Sequence, residues 1–293
     1  MDKIDTNIIS ALIQDSRQSY TSIAKKLRIS KSSLIYRLQL LDKSHILAYR
    51  TIIDYSTYDL LYIRVGLKGA TIIGDSLKTE FEISYCAPVH GMFDYVIGFY
   101  VSSIYEANAI ILRIQQVYAD KIDSVHTSIG IATHHCFPIV LGTKQAPIKV
   151  SYGVFQNKLH PLDKQLLRAL ELNSRANISS LATRLGVTSK TIIARKRNLE
   201  KAGIIAKYTL SLRNEAYGYE QAHIYWQLKC DANMSKFRNY LLSHERVTYV
   251  IDVLGGTIEC EMLIKNHKEL YQIIADIKSQ FEFITEFSYF VYD

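Results

Sequence analysis

Two short stretches place hydroxyls, cations and an apolar spine in the same order. They are Ser30-Lys31-Ser32-Ser33-Leu34-Ile35-Tyr36-Arg37 and Thr188-Ser189-Lys190-Thr191-Ile192-Ile193-Ala194-Arg195, the second followed by Lys196 and Arg197. Wound into a helix, the first turns Leu34 and Ile35 toward a core and leaves Lys31, Ser32, Ser33, Tyr36 and Arg37 outside. Ser30 and Thr188 suit the N-cap, where a side-chain oxygen accepts an otherwise unpaired N–H of the next turn. A hydroxyl-rich helix start can contact phosphate through side chains and free backbone N–H groups. Arg37, Lys190 or Arg195 could reach phosphate or guanine edges, and Lys196 and Arg197 add attraction for phosphate. A helix of this form can enter a DNA major groove. The competing reading is an ordinary solvated helix face. Two ordered repeats, each with a cap, exposed hydroxyls, an Arg and a following strand, favour DNA.

The elements that must carry these stretches are themselves repeated. A shift of 158 residues superposes Ile4 to Thr51 on Leu162 to Thr209 without a gap, with identities that include Asp5/Asp163, Arg17/Arg175, Ala24/Ala182, Arg37/Arg195 and Leu41/Leu199. That is a duplication. Apolar residues at spacing four, Ile4, Ile8 and Leu12 against Leu162, Leu166 and Leu170, predict a first helix in each copy. Second helices are predicted over Tyr20 to Leu27 and Ile178 to Leu185, then third helices beyond Ser30 and Thr188. Ile46 to Ile53 and Ile204 to Leu212 read as strands, wings that close each three-helix core. Arg17 and Arg175 follow the first helix, and either pair with nearby carbonyls or carboxylates or touch phosphate. Lys196 stands where the first copy has Leu38, which predicts a less deeply buried face in the second copy.

After each wing the period changes. The second copy reads as strand 222–229, helix 234–243, strand 247–254, strand 257–264, helix 267–280 and strand 284–292, the β-α-β-β-α-β order of a ferredoxin-like domain with strand order 4-1-3-2. Gly255-Gly256 supplies the positive φ that a tight hairpin needs. The first copy offers strand 60–68, helix 73–84, a short strand near Pro88 to His90, strand 94–101, helix 103–119 and strand 124–132. Pro88 lacks a backbone donor and is expected at a sheet edge. The fold class is therefore α+β, a duplicated winged helix-turn-helix plus ferredoxin-like βαββαβ domain. Expected boundaries are 1–53, 54–136, a connector at 137–160 with an extra strand from Ile148, 161–213 and 214–293.

Charge follows this division. The 293 residues carry +7, but residues 1–50 hold +5 and residues 161–210 hold +7, leaving −5 elsewhere. Attraction for a polyanion thus belongs to the helical segments. With 48% hydrophobic residues, 22% charged and 4 Pro, the chain is neither disordered nor collagenous. No apolar run is long enough for a membrane span, and the acidic, mixed start lacks the layout of a secretory signal. Four scattered cysteines suit a reduced, cytoplasmic setting. Cys86 with His90, and His134, His135 and Cys136, make short pairs that strand order would send to opposite edges. No phosphate loop or ordered catalytic set is present, so no enzyme, metal or cofactor is expected.

The residues Leu162-Asp163, Asn173-Ser174-Arg175, Leu185-Gly186-Val187, Thr188, Arg195, Leu199-Glu200 and Gly203-Ile204 resemble the winged helix-turn-helix of the Lrp/AsnC (feast/famine) transcription regulators. The first copy resembles it through Ile4-Asp5, Asp15-Ser16-Arg17, Leu27, Ser30, Arg37 and Leu41. The resemblance implies a sequence-specific regulator of double-stranded DNA whose α/β domains drive assembly and are sometimes tuned by an amino acid or another small metabolite. Carrying two modules, the chain is expected to form an internal pseudo-dimer and further homo-oligomers. By the same resemblance, Gly91 to Asp94 and Gly256 to Glu259 correspond to effector-site hairpins, with Asp94 or Glu259 orienting an amine or a basic residue. Arg28 and His45 replace Gly186 and Gly203, and Arg28 fits its turn if φ is negative. Some haem-biosynthesis decarboxylases resemble this family in fold, so such an enzyme stands as the alternative, beside a module that binds proteins and not DNA.

Overall fold

The computed structural model describes residues 1–56, 58, 60–69, 74–81, 83–137, 145–153 and 158–293. In chain order, α1 (Lys3–Gln14), α2 (Tyr20–Leu27), α3 (Lys31–Ser44) and β1 (Ile46–Ile53) come first. Then follow β2 (Leu61–Lys68), α4 (Gly74–Glu80), β3 (Tyr85–Gly91), β4 (Tyr95–Val101), α5 (Ile104–Val117), β5 (Ser124–His135) and β6 (Ile148–Ser151). The second copy runs α6 (Pro161–Leu172), α7 (Ile178–Arg184), α8 (Ser189–Lys201), β7 (Ile205–Leu212), β8 (Glu220–Leu228), α9 (Met234–Ser243), β9 (Val247–Val253), β10 (Thr257–Ile264), α10 (His267–Gln280) and β11 (Ile284–Tyr292). These elements form two compact units. One gathers both helical segments, residues 1–56 and 158–217, and the other gathers both α/β segments. Of the expected connector, Pro138 and Gly142 lie outside the described residues, as do the last two residues of the expected extra strand at 148–155.

In the helical unit each helix starts on a side-chain cap. Asp2 and Asp5 form a reciprocal capping box on α1, Ser19 and Asn177 cap α2 and α7, and Pro161 opens α6 where its missing N–H costs nothing. The spacing-four series buries Ile8 and Leu12, with Leu166 and Leu170 in the other copy. The wings depart from expectation. Each copy has a single wing strand, which by itself would leave a ladder of N–H and C=O groups unpaired. The two therefore pair with each other, antiparallel, with Arg50 opposite Thr209 and Thr51 opposite Tyr208. They also cross over, so that β7 packs on α1 and β1 on α6. Buried polar contacts fix this exchange. Thr51 donates to the Leu170 carbonyl at 2.7 Å, Thr209 to the Ile13 carbonyl at 3.0 Å, and the Ser16 and Ser174 hydroxyls meet at 2.6 Å. Arg17 donates to the carbonyl of Ser174 and Arg175 to that of Gln18 at 2.8 Å, each guanidinium lying over a tyrosine ring of the other copy. Both arginines are thus clamps between copies.

In the α/β unit both copies keep the order 4-1-3-2, as β5-β2-β4-β3 and β11-β8-β10-β9. The outer strands then join across copies, β3 with β11 and β5 with β9, which closes eight strands into a ring to which β6 adds beside β5. Period-two alternation separates two faces. Ala222, Ile224 and Trp226 of β8 pack with Phe237 and Leu241 of α9 and Ile274 of α10, while His223 and Tyr225 point to the opposite face. Ile63, Val65, Ile97 and Phe99 make the matching core with Leu77 of α4 and Ile114 of α5. Pro88 does not lie at a free edge. Residues 85–88 pair with β4 and residues 89–91 with β11, so the proline falls where one partner hands over to the other.

The turn between α2 and α3 does not meet the condition of a negative φ. Arg28 takes φ +56° and is the one non-glycine with positive φ among the described residues, in the place where the second copy has Gly186 at φ +65°. Both turns are Schellman motifs. The N–H of Ile29 reaches the Ala24 carbonyl and that of Arg28 the Lys25 carbonyl, with Val187 to Ala182 and Gly186 to Thr183 as counterparts. This six-residue bonding pattern demands the left-handed residue whatever its type. Arg28→Gly is expected to stabilise the chain by about 1 kcal/mol in denaturant titration. Gly186→Ala should destabilise it by about the same amount, although a Cβ there meets nothing within 4 Å.

Candidate nucleic-acid interface

Ser30 and Thr188 sit at the N-caps of α3 and α8, accepting from the backbone N–H of Ser33 at 3.0 Å and of Thr191 at 3.1 Å. Their hydroxyls also meet those of Ser32 and Thr191. Lys31, Ser32 and Tyr36 are exposed, as are Ser189, Lys190 and Arg197, and Ser33 and Thr191 are half-buried. Lys25, Lys26 and Arg184 lie exposed on the preceding helices. A shallow groove runs along α8, lined by Thr188, Lys190, Thr191, Ala194, Arg195 and Asn198.

Three cations on these helices are engaged within the unit. Arg37 donates to Asp2 and Asp5, both at 2.7 Å, and Arg195 meets both oxygens of Asp163 at 3.0 Å. The Asp5 N–H and the Arg37 guanidinium together hold the Asp2 carboxyl below its ordinary range. Lys196 turns back to Glu200 at 2.6 Å and lies over the Tyr208 ring. These residues fasten α3 and α8 to their own scaffold. The signal for this was present in the sequence, because the duplication keeps Asp and Arg together, 32 residues apart in each copy. Ile35 and Ile193 also differ from expectation. They are 36% and 39% exposed, because Leu34 and Ile192, at 0%, already fill the core beneath.

The first two and a half turns of each helix expose a stripe spaced i, i+1, i+4, i+5 and i+8. It is Lys31, Ser32, Ile35, Tyr36 and Gln39 on α3 and Ser189, Lys190, Ile193, Ala194 and Arg197 on α8, and the exposed face continues through Leu40 and Asn198 at i+9. Gln39 was not singled out from the sequence, although the same spacing finds it.

The residues expected at an effector site occupy separate settings in the α/β unit. Gly91 has φ +124° and Gly256 φ +80°, the latter in the turn between β9 and β10. Asp94 accepts from Lys68 at 3.0 Å and from the Gly69 N–H at 2.7 Å. Glu259 is 1% exposed and its basic partners are internal. Arg64 Nη1 lies 2.9 Å from it and His223 Nε2 3.0 Å. Glu261 completes this cluster, 3.4 Å from Arg64, 3.2 Å from His223 Nδ1 and 2.8 Å from the Tyr292 hydroxyl. The His223 ring stacks on Phe290 at 4.8 Å between centroids. Burial opposes ionisation of Glu261, but the His223 contact and the Arg64 charge outweigh it and hold the carboxyl down to about 2. Glu259 is held low by the same opposition. Among the described residues, no group of three or more His, Cys, Asp or Glu is placed to hold a metal ion, and no helix is long and apolar enough to cross a membrane.

Residues 1–42 match the AsnC-type helix-turn-helix domain, and residues 159–206 match a winged helix-turn-helix DNA-binding family. An HTH-type transcriptional regulator of Pyrococcus horikoshii is 31% identical over 126 residues, 42% of this chain and 83% of that protein. LrpC of Bacillus subtilis is 25% identical over 113 residues, 39% of this chain and 77% of its own. Among solved structures, the siroheme decarboxylase NirDL superposes with a TM-score of 0.62, covering 99% of this chain and 91% of its own at 10% identity. At that identity the likeness is one of fold.

Two outcomes test these assignments. Arg195→Ala and Asp163→Ala should each cost up to about 1 kcal/mol of stability, and the double variant should cost no more than either, as measured in a double-mutant cycle. Glu261 contributes stability above the ordinary range of a glutamate, and that contribution is lost as pH falls from there toward about 2. Acid titration of Glu261→Gln should therefore show a shallower loss of stability than the wild-type chain.

Proposed function

This chain belongs to the Lrp/AsnC family of HTH-type transcription regulators, and on that premise we propose that it reads an asymmetric operator with two non-equivalent recognition helices, α3 and α8. It is a DNA-binding regulator; what is proposed is how the two copies divide the reading. The observation that carries the proposal is the pair of exposed stripes. They occupy the same five repeat positions but offer Lys31, Ser32, Tyr36 and Gln39 on one helix and Ser189, Lys190, Ala194 and Arg197 on the other. Tyr36 presents a wide ring and a hydroxyl, whereas Ala194 leaves room at the matching point, so equal base preferences are not expected. Within the stripe, Lys190 and Arg197 give α8 two cations against Lys31 on α3, which makes its hold on the duplex the more salt-dependent. Arg37, Arg195 and Lys196 act in this scheme by fixing the helix, with Ser30 and Thr188 setting its start.

The effector proposed with it is an amino acid or small metabolite. Asp94 and Glu259 support it least, since both carboxylates are already paired inside the protein. The same argument bears on the enzyme alternative. Arg64, His223, Glu259 and Glu261 share a fold with a decarboxylase, but here the arginine and the histidine are both paired with the two carboxylates.

Footprinting on genomic fragments at fixed salt tests the proposal. Lys190→Glu with Arg197→Glu should weaken binding at least tenfold and lower the salt slope by about 2, while Lys121→Glu in the α/β unit leaves both unchanged. Tyr36→Ala and Arg197→Ala should remove protection from different parts of one footprint. Identical changes from both would contradict asymmetric reading, and no protection at micromolar protein would contradict DNA reading altogether.

A further inference from the structure

We propose that Ile35 and Ile193 read thymine in the operator through its 5-methyl group. The inference rests on the reading above, that α3 and α8 face the major groove. Of the five positions in the exposed stripe, four differ between the copies: Lys31 against Ser189, Ser32 against Lys190, Tyr36 against Ala194 and Gln39 against Arg197. The central position alone is the same in both. A large apolar side chain stands there, 36% exposed in one helix and 39% in the other.

Folding accounts for only part of that choice, since more than a third of each isoleucine stays open to solvent. The core beneath is closed by Leu34 and Ile192, each 0% exposed, so the isoleucines are not needed to fill it. A β-branched residue in a helix loses χ1 freedom, and the part of its surface left open recovers nothing by burial. Both costs are offset if another apolar group covers the side chain. In the major groove the exposed apolar feature is the thymine methyl, while the other base-edge groups are donors or acceptors that isoleucine cannot pair. The surrounding positions, free to vary, carry the difference between half-sites. The central position then supplies a requirement common to both, a thymine beneath each isoleucine.

The test uses the full chain and DNA that differs by the methyl alone. Genomic fragments retained by the wild-type protein are amplified with dTTP or with dUTP, and affinities for the two products are compared at one salt concentration. Loss of one methyl contact is expected to weaken binding about fourfold, and loss of two about fifteenfold. The Ile35→Ser, Ile193→Ser double variant should bind thymine-containing DNA as weakly as the wild type binds the uracil form, with no difference between the two. Ile35→Val with Ile193→Val should restore most of the preference. Leu172→Ser, which removes a 59% exposed apolar residue from the same unit away from both reading helices, should behave as wild type. Equal wild-type affinity for the two DNAs, or a preference that survives in the double serine variant, overturns the inference and leaves the DNA reading standing. Absence of binding to either DNA overturns the DNA reading and this inference with it.

Discussion

A strand with an unpaired edge is the constraint on which this chain is built. Each copy carries one wing strand with no companion of its own and a four-stranded sheet with two open sides. Backbone N–H and C=O groups left without partners at such edges are costly when buried and invite foreign strands when exposed. Both problems have the same solution here. β1 takes β7 as its partner, β3 takes β11 and β5 takes β9, so each copy completes the other. Placing both copies on one chain raises the concentration at which they meet.

Completion across copies also frees them to become different. Arg64 comes from the first copy, and Glu259 and Glu261 come from the second. Without the carboxylates Arg64 would be a buried, unpaired charge, a state that costs several kcal/mol. Without Arg64 the carboxylates would keep His223 and Tyr292 of their own copy but lose the guanidinium. The helical unit uses the same logic with neutral groups, through the Ser16–Ser174 contact and the arginines that clasp carbonyls of the opposite copy. Its charges are divided by role. Those that repeat with an aspartate partner hold the helix, as does Lys196, whereas Lys31, Lys190 and Arg197, which differ between copies, face outward.

Much of this was legible in the sequence because it follows from local rules. The spacing of Ile4, Ile8 and Leu12, the caps Ser30 and Thr188, the Gly255-Gly256 turn and the βαββαβ alternation act over a few residues and read directly. What escaped depends on contacts between residues far apart in the chain. A lone strand at 46–53 does not say where its partner lies, and Pro88 looks like an edge until β11 arrives beside it. The conformation of Arg28 stayed open for a related reason: the residue type fits the turn readily only at negative φ, but two backbone hydrogen bonds across the turn impose the left-handed form. The pairing of Arg37 and Arg195 with helix α1 or α6 was recoverable, since the aspartates repeat with them. The exposure of Ile35 and Ile193 needed the packing of Leu34 and Ile192 to be seen first.

Pairing of the two copies within one chain is the claim on which the rest stands, and native-state hydrogen exchange tests it most directly. The dilute full-length chain, at concentrations where light scattering finds single chains, is exchanged into deuterated water. Amides of Arg50 to Ile52, of Lys207 to Thr209, and of the paired ends of β3 and β11 are then followed. Protection approaching that of the β8 and β10 core strands, unchanged on further dilution, is the predicted result. Exchange at the rate of open strands, or protection that fades as the protein is diluted, would show that the copies do not complete each other within the chain and would contradict the account.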